Sequence, residues 1–71
     1  MAEIGQLCKI ELDENTIYKI VDVRTKNLNI VTDETQTITS GTLVDVVELE
    51  NPKIKKINIP IYNIHVIKEE D

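Results

Sequence analysis

Apolar and polar residues alternate along most of this chain with a period of two. Ile4, Gln6, Cys8, Ile10 and Leu12 fall on one face, with Leu7, Lys9 and Glu11 on the other. That spacing predicts a strand with one buried face. Asp13, Glu14, Asn15 and Thr16 follow with turn-forming side chains. Residues 17–25 alternate again but break phase, Tyr18 and Ile20 on one parity and Val21 and Val23 on the other. A β-bulge, which adds one residue to the strand, or a strongly bent strand reconciles the two halves. Lys26–Asn27 reads as a turn into a short strand at 28–32, and residues 33–36 as a second polar turn. Residues 37–41 read as a short strand or extended loop ending at Gly41. Residues 42–50 repeat the phase break, with Val44 and Val46 set against Leu43, Val47 and Leu49. Asn51–Pro52–Lys53 is a corner, because Pro52 pre-sets φ for it. The closing run, "INIPIYNIHVI" at 57–67, is split by Pro60, which cannot donate to a ladder. Residues 68–71 are expected to fray as an acidic tail.

No window carries a long helical period, and no capping box opens one. Turn signals recur roughly every 8–12 residues, the spacing of a small sandwich or barrel. Five or six short strands suit a small bent barrel better than a sandwich, which needs more strands. The 71 residues make one domain. Composition points the same way. Twelve Ile, seven Val, five Leu and seven Thr dominate, with no Trp or Phe and only Tyr18 and Tyr62. β-branched side chains fit a pleated surface and lose rotamer freedom in helices.

Charge and cysteine usage narrow the function classes. The net charge is −5, which argues against broad capture of phosphate backbones or anionic lipid. Cys8 alone forms no intramolecular disulfide or cysteine-rich metal site. The opening residues lack the charged leader and apolar run of a signal peptide, and no stretch is long enough to span a membrane. A cytoplasmic protein is expected. The abundance of Ile, Lys and Asn suits an AT-rich coding sequence, as in a low-GC bacterium, an archaeon or a phage of either.

In pattern, nearly the whole chain resembles an SH3-like small barrel. Gly5 with "QLCKIEL" resembles its first strand, and "TIYKIVDVRTKNLNIVT" its second and third. "IPIYNIHVI" resembles the ending, where a 3₁₀ turn at Pro60 to Asn63 leads into a closing strand. The resemblance implies a fold and leaves the activity open, since many functions share this barrel. The KOW-type subset, whose ligands are RNA and ribosomal partners, has a glycine-centred turn between its first two strands. Here "DENT" holds that place, with two acids and no glycine. The aromatic groove of peptide-binding SH3 domains also lacks its tryptophan.

Candidate chemistry is sparse. His65 is the only histidine, and only Tyr62 and Asn63 stand near it in sequence, which supplies neither a nucleophile nor a ligand set. Cys8 sits at an inward position, where a free cysteine behaves as a small hydrophobe. The acids at Glu11, Asp13 and Glu14 and at Asp33 and Glu34 lack calcium-loop spacing, and Gly5 and Gly41 make no phosphate loop. The reading is a non-enzyme without cofactor or metal. Surplus apolar residues on both parities of "VDVV" and of the closing run either reach the core from bent strands or form a contact surface, the preferred reading. The expected activity is self-assembly or docking to a larger protein, as an adaptor or assembly scaffold, with a phage or prophage protein among the fits. Ile59, Ile61, Tyr62, Ile64 and His65 are the contact candidates, Tyr62 adding the amphipathic area enriched at interfaces. One alternative is a KOW-like nucleic-acid module using Arg24, Lys26, Lys53, Lys55 and Lys56. The same lysines equally protect an edge strand, and no exposed aromatic stands ready to stack a base. A second alternative is an oligomer that holds a small ligand between subunits.

Overall fold

A computed structural model describes residues 2–31 and 36–68. The chain folds as five antiparallel strands: β1 (Leu7–Ile10), β2 (Asp13–Val31), β3 (Gln36–Glu48), β4 (Lys55–Pro60) and β5 (Ile64–Val66). They form one open sheet in the order β4-β3-β2-β1-β5, so the expected barrel is not closed: β4 and β5 do not pair. Its two edges are therefore β4 and β5. A 3₁₀ turn at Ile61–Asn63 joins β4 to β5, at the place the sequence assigns to it. Pro60 (φ −58°) leaves the strand there, and the amide of Ile64 closes the turn on the carbonyl of Ile61.

The five strands fall within the expected five or six, but two expected turns do not form where the sequence placed them. Lys26 and Asn27 lie within the β2–β3 ladder, opposite Gly41 and Ser40. A tight two-residue turn needs left-handed backbone, the reason Asn-Gly is favoured there; Lys-Asn has no glycine, and the ladder runs through. Asp13–Thr16 likewise opens β2 instead of turning. The reversal falls one step earlier, at Glu11–Leu12, since Ile10 pairs with Asp13. Leu12 adopts φ 73° to make it. Of the polar turn expected at 33–36, only Gln36 is described, as the first residue of β3; of the tail expected at 68–71, only Lys68 is described, outside any strand.

Of the two expected phase breaks, only the one in β2 appears as a bulge in its own strand, and β3 runs without one. Between Ile20 and Asp22, β2 gains a residue against β3, so Val21 is the bulge and Tyr18, Ile20 and Val23 all reach the core. Between Val44 and Val46 the extra residue belongs to β4, where Lys56 and Ile59 take the two facing positions. Asn58 lies in this bulge with φ 58°, a conformation asparagine tolerates better than β-branched residues.

The core is small: Cys8, Tyr18, Ile20, Val44, Val46 and Ile64. Ala2, Ile10, Val23, Ile59, Ile61 and Val66 pack around it. The Tyr18 hydroxyl donates to Asp13 Oδ2 at 2.7 Å, and Lys56 Nζ stands 5.5 Å from the ring centroid. The alternation beginning at Ile4 holds only within β1, because Ile4 (66% exposed) and Leu12 (99%) lie beyond it. No helix among the described residues is long and apolar enough to cross a membrane.

Candidate protein-interaction surface

Three of the five contact candidates are tied to the core. Ile64 is buried, while Ile59 and Ile61 are half-buried against it. Tyr62, on the 3₁₀ turn, is 77% exposed, an exposed aromatic where the sequence leads to none being expected, and His65 is exposed on β5, paired with Lys9. The amide of Glu11 donates to the carbonyl of Asn63 at 2.8 Å, which fixes the 3₁₀ turn beside the Glu11–Leu12 reversal. His65 and Leu12 then share a shallow depression of ≈ 600 Å³ with Lys9, Ile10, Glu11, Glu14 and Asn15.

Asn15 also lines a neighbouring depression of ≈ 190 Å³ with Thr16, Ile17, Glu48, Leu49 and Glu50. Here the Leu49 amide donates to Ile17 (2.9 Å) and the Glu48 amide to Ile54 (3.0 Å). Ile17, Leu49 and Ile54, each about two-fifths exposed, are thereby gathered at one end of the sheet. The two depressions adjoin at Asn15 and make a strip of exposed aliphatic side chains rimmed by Glu11, Glu14, Glu48 and Glu50. Sequence reasoning missed Leu12, Ile17, Leu49 and Ile54 as surface. Turn chemistry at Asp13–Thr16 hid the strand start that turns Ile17 outward, and only pairing shows Ile17, Leu49 and Ile54 to be neighbours.

The basic candidates are divided by the sheet. Arg24 and Lys26 lie on β2, Lys55 and Lys56 on β4, with β3 between, and Lys53 is in the Asn51–Lys53 corner. Arg24 is committed to carboxylates. Its Nη1 donates to Asp22 Oδ2 (2.6 Å) and Asp45 Oδ2 (2.7 Å), and its Nη2 to Asp45 Oδ1 (2.9 Å) and to Asn58 Oδ1. The Asn58 amide adds a further bond to Asp45 Oδ1 at 2.9 Å. The Arg24 guanidinium and this amide hold the Asp45 carboxyl below its ordinary range, and Asp45 and Asp22 push Arg24 up. Lys56 stands over Tyr18.

Other reactive groups are quiet. Burial pushes the Cys8 thiol up, away from a thiolate. The Tyr18 hydroxyl holds the Asp13 carboxyl down. Among the described residues no three His, Cys, Asp or Glu side chains gather to hold a metal ion. Compared with protein-family models, curated proteins and solved structures, the chain matches none.

Proposed function

We propose that this chain is a non-enzymatic interaction module built as an SH3-like small barrel, acting as an adaptor or assembly scaffold. The strand order, with β1 between β2 and β5, and the 3₁₀ turn before β5 support the barrel reading. The observation that carries the function is the balance of apolar surface. Among the residues whose burial is described, six apolar side chains are buried, yet seven large ones are exposed, among them Leu12, Ile17, Leu49, Ile54 and Tyr62. A small domain with so thin a core gains stability when such surface meets a partner. The acid-rimmed strip fits a protein segment with apolar anchors and a cationic border.

Nuclear magnetic resonance titration with an amphipathic Lys/Arg-rich peptide tests this. Amide shifts clustering at Leu12, Asn15, Ile17, Leu49, Ile54 and His65 are expected. No response to the peptide, with salt-sensitive shifts around Lys26, Lys53 and Lys55 on adding RNA, would replace this reading with the nucleic-acid one.

A further inference from the structure

The β2–β3 ladder continues past the rest of the sheet. β4 makes its last pair at Leu43↔Pro60, and the β1 side of β2 makes its last backbone bonds at Ile20. Beyond them, seven pairs from Thr25↔Thr42 to Val31↔Gln36 form a two-stranded arm. Among the described residues no third strand joins the arm. Two strands alone are marginal in water, and an open edge is a template for another strand.

The other edges of this sheet carry defences, Lys26 on the arm of β2 among them. β4 carries Lys55, Lys56, Pro60 and the bulge at Asn58, and β5 is three residues long. Short strands, lysines, prolines and bulges are the usual defences against edge pairing. The arm edge of β3 has none of them. Residues 35–44 are the longest run in the chain without charge or proline, and the pairing places bulges on β2 and β4, not β3.

We propose that two copies of this chain pair through that edge, β3 against β3, antiparallel about a two-fold axis at Thr39. This register matches all seven arm residues from Gln36 to Thr42 and makes a four-stranded sheet from two arms. The contact is isologous, so it closes at two copies. Charge favours this place. Each chain carries −5, and an arm of seven residues, at ~3.3 Å each, sets the acidic bodies apart while an uncharged edge meets its like. The inference rests on the reading of the chain as an interaction module, and it names one partner: a second copy.

The ladder also supplies a clean test. At the end of β3 the Glu48 amide points to the β4 side, and just past it the Leu49 amide points to β2. Amides alternate along an unbulged antiparallel strand, so those of Ile38 and Ser40 face the open edge. Ser40→Pro therefore blocks the edge and spares the bonds to β2. Sedimentation equilibrium of the full chain should show a concentration-dependent dimer that is lost in Ser40→Pro, with circular dichroism unchanged. Thr39→Cys should cross-link to its own copy under diamide and Lys26→Cys should not, while buried Cys8 gives no background. A wild-type chain monomeric at every concentration overturns the proposal, as does a dimer that survives Ser40→Pro. Should Ser40→Pro unfold, failure of Thr39→Cys to cross-link overturns it. A monomer that still binds the basic peptide removes only the arm dimer; one that binds neither removes the interaction module as well.

Discussion

Asp45 is a carboxylate at only 8% exposure on a strand otherwise rich in valine, and it is tolerable there because every neighbour serves it. Two guanidinium bonds and the Asn58 amide satisfy its oxygens, and the same contacts fasten β2, β3 and β4 across the outer face. A carboxyl whose pKa is lowered on folding adds stability above its unfolded value and loses it as pH falls. Melting temperature should therefore decline as pH drops through and below the ordinary value of 3.8. Asp45→Asn should flatten that acid limb and cost about 1–2 kcal/mol at neutral pH; an unchanged limb would remove Asp45 from the account, leaving Asp13. Leu12 presents the opposite case. A leucine at φ 73° with 99% exposure holds a left-handed backbone at a cost of roughly 1–2 kcal/mol and buries nothing in return. Leu12→Gly should raise stability by about 1 kcal/mol, read by urea denaturation, while weakening peptide binding at the strip. A more stable variant with undiminished binding would show that Leu12 is not an anchor.

At the scale of elements, what could be read from the sequence was whatever local chemistry dictates. The valine phase break at 17–25 gave the β2 bulge, Pro52 the corner, and Pro60 the 3₁₀ turn, because each depends on residues adjacent in the chain; the break read at 42–50 has no bulge in β3, whose partner β4 carries one instead. Missing were features that depend on pairing: the continuity of β2 through Lys26–Asn27, and the start of β2 at Asp13. The burial of Asp45 was equally hidden, since Arg24 and Asn58 reach it from other strands. Of the contact candidates, Ile64 shows the limit most clearly. Its parity was read as inward, yet its place in an apolar run also suggested contact, and the core takes it. The β4 bulge offers an element-level check. Asn58 must hold φ 58° while donating to Asp45. Asn58→Gly and Asn58→Val both lose the bond from Arg24, but Gly keeps the backbone, so Val should be less stable than Gly by about 1–2 kcal/mol. Equal melting temperatures for the two variants would mean that the bulge relaxes freely.

Across the whole molecule, length separates two kinds of surface. The radius of gyration is 14.5 Å and the longest extent 49 Å, against roughly 11 Å for the radius of gyration of a compact chain this long. The β2–β3 ladder explains the excess, with Tyr18↔Glu48 near one end and Val31↔Gln36 at the other. The acid-rimmed strip lies at the first end and the open edge of β3 at the second. Pairing through arms would therefore carry two strips outward on opposite sides of a dimer, each free to bind. A bivalent object on a surface dense in partner sites dissociates far more slowly than a single site, with avidity gains of ~10²–10⁴. On a surface coated with the basic peptide, the wild-type chain should leave slowly, and Ser40→Pro should leave fast at the rate of one strip. Raising salt should speed both, because the rim of Glu11, Glu14, Glu48 and Glu50 acts through screened charge. Identical dissociation of the two proteins would mean that arms and strips do not work together in one assembly.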